Sequence, residues 1–173
     1  MIRIYHGSNV LVQSPLVGIG RKALDFGEGF YVTALYSQAE EWARNKARYY
    51  MQAEGIVSCY DFDLEEAAKD FRYCKFEHYD SEWLHFIVNN RNGGDEWKQW
   101  DLIEGGVAND RVIDTVENYM AGMIDEDIAL GLLAQHQPNH QICVLKQEVL
   151  DNYLKFVESV QVKAYAELLV DVE

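Results

Sequence analysis

Proline is almost missing from this chain: Pro15 and Pro138 are the only two in 173 residues. No Ser/Gly-rich stretch takes over as a linker, so nothing in the sequence divides the chain, and a single domain over 1–173 is expected, long enough to bury a core of ordinary size. Cysteine is scarce as well. Cys59, Cys74 and Cys143 are odd in number and far apart, with no C-x-x-C, which argues against a disulfide framework and suggests reduced, mostly buried thiols in a cytoplasmic protein. No run approaches the roughly 18 apolar residues that span a bilayer, and the opening Met1–His6 has no basic segment leading into an apolar core, so neither a membrane span nor a secretory signal is expected. Positive charge is short: 15 Lys and Arg stand against 29 Asp and Glu, a net charge of −14. A broad nucleic-acid surface needs clustered cations, so a small molecule or a basic partner fits the balance better. Gly-x-Ser-x-Gly and Walker sequences are also missing, which removes the commonest hydrolase and NTPase readings.

The remaining composition, 49% hydrophobic and 25% charged, is that of an ordinary globular protein. Strands are expected at Ile2–Tyr5, with His6-Gly7-Ser8-Asn9 as the exit, and at Phe30–Thr33. Ser37-Gln38-Ala39-Glu40 reads as a capping box opening a helix that carries Ala39, Trp42, Ala43, Ala47, Tyr50 and Met51 inward and stops at Gly55. Further strands are read at Ile56–Phe62, around Phe71–Cys74, at Gln141–Leu145 and at Leu154–Val162, where Phe156, Glu158, Val160 and Val162 would share a face, and Asp101–Val107 reads as a glycine-weakened strand or a turn. Helices are read from Ser81, over Asp110–Ala121 with Asn109 or Asp110 as its cap, and over Asp125–Gln135. Short strands and helices without strict βα alternation indicate α+β.

Several local patterns dissolve on inspection. Gly18-x-Gly20-x-x-Ala23 lacks the strand–turn–helix context of a dinucleotide fingerprint, and Asp25-Phe26-Gly27 has no kinase catalytic loop to accompany it. His136 and His140 are separated by Pro138, which breaks the helix that would aim both at one ion, so no metal site is expected. What stands out is Asp25-Phe26-Gly27-Glu28-Gly29-Phe30-Tyr31-Val32-Thr33, a glycine-punctuated loop running into an aromatic strand, about twenty residues after Tyr5-His6-Gly7-Ser8. Glycines there let a backbone come close to something.

Taken in order, His6-Gly7-Ser8, Phe26-Gly27-Glu28-Gly29-Phe30-Tyr31-Val32-Thr33, Ser37-Gln38-Ala39 and Trp42-Ala43 resemble the ADP-ribosyltransferase superfamily, in the branch of diphtheria toxin and the poly(ADP-ribose) polymerases. From residue 2 to about 160 the chain also resembles an uncharacterised bacterial domain family related to that branch, through Asp25–Tyr31, Gly105-x-Val107-Ala108-Asn109-Asp110 and Asn139-x-Gln141-Ile142. The resemblance implies an ADP-ribosyltransferase-like split β-sheet with flanking helices and NAD as co-substrate in its cleft. His6 would bond the adenosine ribose, the Gly7 backbone would clasp the nicotinamide amide, and Tyr31 would stack on its ring, where a flat cation gains about 0.5–2 kcal/mol from an aromatic face. Ser8 would hold the turn or reach the ligand.

The superfamily's catalytic Glu opens a late strand. The matching segment here is Asn139-His140-Gln141-Ile142-Cys143-Val144, so the resemblance carries that role to Gln141, a neutral amide. Arg21 and Lys22, between the two motif strands, would meet the pyrophosphate or lie in a solvated loop. The implied activity is mono-ADP-ribosyl transfer to an unknown macromolecule, in a toxin or defence setting where an antitoxin partner is possible. A non-catalytic NAD- or ADP-ribose-binding module and an NAD glycohydrolase are the alternatives.

Overall fold

A computed structural model describes residues 1–19, 25–108 and 112–165. Arg21, Lys22, Asn109 and Asp110 lie outside the described residues, and with them the expected pyrophosphate contact and the helix cap. The fold is α+β, with seven strands of mixed pairing and six α-helices among the described residues. The chain falls into two compact units: Met1–Ser14, Val32–Phe62 and Leu154–Glu173 form the first, and Pro15–Tyr31 with Asp63–Tyr153 the second. No helix among the described residues is long and apolar enough to cross a membrane.

The first unit is an antiparallel sheet under one helix. Its strands are β1 (Ile2–Ser8), the last two residues of β2 (Phe30–Thr33), β3 (Glu54–Phe62) and β7 (Leu154–Lys163), in the order β2-β1-β3-β7. Helix α1 (Tyr36–Tyr49) packs Ala39, Ala43 and Ala47, all fully buried, against Tyr5, Val57, Cys59 and Val162. Three alanines at helical spacing make a thin helix face, so α1 lies close on the sheet. That closeness is visible at Gly7, where an added Cβ would sit 1.9 Å from the Ala39 carbonyl oxygen.

The expectations for this unit need four corrections. His6, Gly7 and Ser8 are not a strand exit but part of β1, because β3 pairs with them throughout, His6 opposite Ser58, Gly7 opposite Val57 and Ser8 opposite Ile56. The capping box does not form: Leu35 is the N-cap, Ser37 lies inside the helix, and no side chain caps the end. Thr33 shapes the entry instead, its hydroxyl accepting from the Leu35 N–H at 3.1 Å and donating to Gln38 Oε1 at 2.6 Å. Gly55 lies in β3 beneath Ala43 and does not end α1. Finally, a register shift between Cys59 and Tyr60 places Glu158 opposite Cys59 but Phe156 opposite Tyr60. Phe156 is thereby turned to the other face from Glu158, where its ring meets Tyr60 edge-on at 5.9 Å.

The true end of α1 is a Schellman motif. The Gln52 N–H bonds the Ala47 carbonyl at 2.8 Å and the Met51 N–H bonds that of Arg48 at 3.0 Å, which places Met51 at the left-handed position, φ 54°. Tyr50 and Met51 do not pack inward as expected, because the helix ends at Tyr49 before them: Tyr50 is 53% exposed and Met51 90%, so no packing compensates the Met51 backbone. Met51→Gly is therefore expected to stabilise the protein by about 1 kcal/mol, read as a higher midpoint in thermal or urea unfolding. An unchanged midpoint would mean that the methionine side chain repays its conformation.

The second unit contains α2 (Leu64–Asp70), β4 (Tyr73–Lys75), α3 (Ser81–Arg91), a 3₁₀ turn at Glu96–Gln99, β5 (Leu102–Gly105), α4 (Ile113–Met120), α5 (Glu126–Leu133), β6 (Gln141–Val144) and α6 (Gln147–Tyr153). β4 runs parallel to β5 and β6 antiparallel to it. The core gathers Phe26, Trp83, Phe86, Ile87, Ile103 and Cys143. Side chains cap two of the helices read from the sequence: Asp80 accepts from the Trp83 N–H and Asp125 from the Ile128 N–H, each tying down one donor of a first turn.

Candidate functional site

Three separate stretches meet in the second unit: Asp25–Tyr31, Gly105–Ala108 and Asn139–Gln141. Asp25, only 6% exposed, is the knot. Its Oδ2 accepts the Ala108 N–H at 2.7 Å, its Oδ1 accepts Arg91 Nε at 2.6 Å, and its carbonyl accepts Asn90 Nδ2 at 2.8 Å. The last turn of α3 thus grips one residue twice, and that residue holds the segment after β5. A second pin comes from Asn139, whose Oδ1 accepts the Val107 N–H at 2.9 Å and the Tyr79 hydroxyl at 3.3 Å. These bonds favour one loop geometry, because each released buried donor or acceptor would cost about 1–3 kcal/mol; Asn90 Oδ1, on the same side chain that bonds Asp25, is buried without a partner among the described residues.

Tyr31 is fastened from its far end. Its hydroxyl donates to the Gly27 carbonyl at 2.8 Å and accepts the Phe26 N–H at 3.1 Å, closing the Phe26–Tyr31 loop on itself. Gly27 has φ 90°, and a Cβ there would stand 2.3 Å from the Trp97 ring; only glycine turns the chain here. The hydroxyl also touches the Cys143 thiol, and burial pushes the Tyr31 phenol well above its usual range. Burial likewise pushes the Cys143 thiol up to about 12, so this sulfur stays protonated and is no nucleophile.

Gln141 is the first residue of β6 and 5% exposed. It stands opposite Gly105, two residues from Cys143. Alternation along the strand therefore directs Gln141 and Cys143 to the same face, the one on which Tyr31 packs. The neighbouring carboxylate, Glu104, stands opposite Ile142 and so faces the other way. There it is occupied by the Tyr73 hydroxyl, by Lys75 Nζ at 3.8 Å and by His140 Nδ1 at 3.1 Å. Glu104 is therefore no stand-in for the carboxylate that Gln141 replaces. Beside the Asn139 pin, Tyr79 also lines a hollow of about 240 Å³ with His78, Leu133 and His136.

Of the residues singled out in the sequence, Tyr31 and Gln141 share one face of the second unit. His6, Gly7 and Ser8 belong to β1 of the first unit. On that strand Tyr5 and Gly7 face α1, and alternation turns His6 to the opposite side with Ile4. Arg21 lies outside the described residues. The roles of Asp25, Asn90, Arg91 and Asn139 in holding the loop were missed; the only signal was that Asp25 and Asn139 open two of the stretches already picked out. Comparison with curated proteins and with solved structures finds no match for this chain. The model of the DUF3990 family, described as a protein of unknown function, matches residues 2–156, and the chain belongs to that family.

Proposed function

We propose that this protein is an NAD-dependent mono-ADP-ribosyltransferase acting on a macromolecule, built on a split sheet of the ADP-ribosyltransferase kind. The observation that carries the reading is the common face of Tyr31 and Gln141, framed by the pinned Gly105–Ala108 segment. Tyr31 offers an aromatic ring whose hydroxyl is already spent on its own loop, so the ring is held still for stacking. Gln141 offers an amide at the head of a late strand. His6 and Gly7 enter by resemblance, His6 for the adenosine ribose and the Gly7 backbone for the nicotinamide amide.

In this reaction the bond between C1′ of the ribose and the nicotinamide nitrogen breaks, and nicotinamide leaves with the electron pair. The positive charge left on the ribose is taken up by a lone pair of the acceptor nucleophile, which gives its proton to solvent. Gln141 fixes the 2′-hydroxyl by hydrogen bonding but brings no negative charge to the developing cation. One preorganised electrostatic contact is typically worth ~10²–10³ in rate, so turnover is expected to be slow. The same substitution favours a second reading, a module that binds NAD or ADP-ribose without turning it over.

The test is to incubate purified protein with NAD and follow melting temperature and nicotinamide release, then to add labelled NAD to cell extract. Wild type is expected to melt higher with NAD, since a ligand at 100 times its Kd adds about 2.7 kcal/mol, and Tyr31→Ala is expected to lose that gain. Stabilisation without nicotinamide release would leave the binding module, and release without labelled macromolecule a glycohydrolase. An unshifted melting temperature would remove both leading readings.

A further inference from the structure

Arg91 meets its carboxylate in a more enclosed setting than the other arginines; Arg3 also reaches Asp61 through Nε, at 2.8 Å, but its side chain is 39% exposed and its Nη1 lies 3.8 Å from Glu158. Arg72 closes on Asp101 side-on, with Nε at 3.1 Å and Nη2 at 2.8 Å, and its side chain is 60% exposed. Arg44 spends Nη2 on Glu40 and Nη1 on the Lys163 carbonyl. Arg91 touches Asp25 through Nε alone, at 2.6 Å, and its side chain is 23% exposed. The other Asp25 carboxylate oxygen accepts the Ala108 N–H. Among the described residues the two terminal amino groups of Arg91 have no protein acceptor. They form a planar pair of donors, held at a fixed angle by a buried carboxylate behind them.

We infer that Arg91 is a phosphate-binding residue, its terminal amino groups taking two oxygens of a pyrophosphate. Guanidinium matches phosphate bidentately, and an Arg locked through Nε loses little further freedom on doing so. Asp25 offsets the charge of Arg91 at a distance, so recognition depends on the short-range fit of donors to oxygens rather than on a diffuse field. The placement suits a dinucleotide. Asp25 opens the stretch that Tyr31 closes, so the guanidinium and the ring are set by the two ends of one pinned loop. The identity of the ligand as the pyrophosphate of NAD rests on the proposed function; the phosphate site itself does not. Arg91 would then do what the sequence reading assigned to Arg21.

Arg91→Lys tests this, because lysine keeps a cation against Asp25 and loses the fork. Calorimetric titration would use inorganic pyrophosphate, NAD and nicotinamide as separate probes. Wild type is expected to bind pyrophosphate and NAD, and the variant to bind both at least tenfold more weakly while binding nicotinamide as wild type does. Pyrophosphate held by wild type through Arg91 while NAD is refused would keep the phosphate site and discard the NAD reading. NAD bound equally by both proteins would discard the role of Arg91 and keep NAD. Failure of wild type to bind either probe would discard both. Should the lysine variant not fold, the Arg91 side-chain N–H resonances of the wild-type protein are followed during pyrophosphate addition. A shift supports the assignment and unmoved resonances overturn it.

Discussion

Gly7→Ala is expected to lower the melting temperature by roughly 6–12 °C, the shift that about 3 kcal/mol produces in a chain of this size. The added methyl would stand 1.9 Å from the Ala39 carbonyl oxygen and 2.7 Å from the Ala43 nitrogen. Both are backbone atoms inside α1, so no rotamer change makes room and the whole helix must lift from the sheet. Overpacking a core side chain usually costs 1–3 kcal/mol; a clash with a helix backbone belongs at or beyond the upper end. Circular dichroism melts decide it, and a wild-type melt would mean that α1 stands further from β1 than the structure has it. The result also bears on function. The resemblance assigns the Gly7 backbone to nicotinamide, yet α1 alone already forbids a side chain there. Loss of NAD binding in this variant would therefore say nothing about the site, whereas His6→Ala, on the opposite side of the strand, does not meet α1.

Asp25→Ala should be costlier still for the second unit, by about 3–5 kcal/mol, the usual result of removing one partner of a buried ion pair. Three groups lose by it: the half-buried Arg91 guanidinium loses its counter-charge, the Ala108 N–H loses its acceptor, and the Gly105–Ala108 segment is left to Asn139, Tyr79 and Trp83. Asp25→Asn retains one side-chain oxygen for one of these donors and should fall between alanine and wild type. Urea unfolding of the three proteins gives the ranking. If alanine and asparagine proved equally mild, the Asp25 carboxylate would be an incidental contact and the segment would be held by Asn139, Tyr79 and Trp83.

Much of the secondary structure was legible because its causes are local. The aromatic and β-branched run Phe30–Thr33 is a strand with the bounds expected of it, and Asp125 caps the helix that its acidic first turn announces. The stretches at Asp25–Tyr31, Gly105–Ala108 and Asn139–Gln141 were also visible as patterns. Their meeting was not. Asp25 lies 66 residues from Arg91 and 83 from Ala108, and no periodicity or propensity links positions so far apart. The apolar alternation of β1 fades after Tyr5, and only the pairing partner β3 shows that the strand runs on through Ser8.

By itself, then, the order of residues determined an α+β chain, short of cations and without a long apolar helix, with a glycine-framed loop ahead of Tyr31 and an amide at Gln141. These follow from side-chain volume, backbone freedom and charge, which each residue carries wherever it stands. The tertiary structure decided which of those residues act on one another: that Gly7 is demanded by a helix, that the Tyr31 hydroxyl is spent on its own loop, that Glu104 faces away from Gln141, and that Arg91 is held by Asp25 through Nε. Such contacts join residues from distant parts of the chain within a few ångströms, and they exist only once the units have packed.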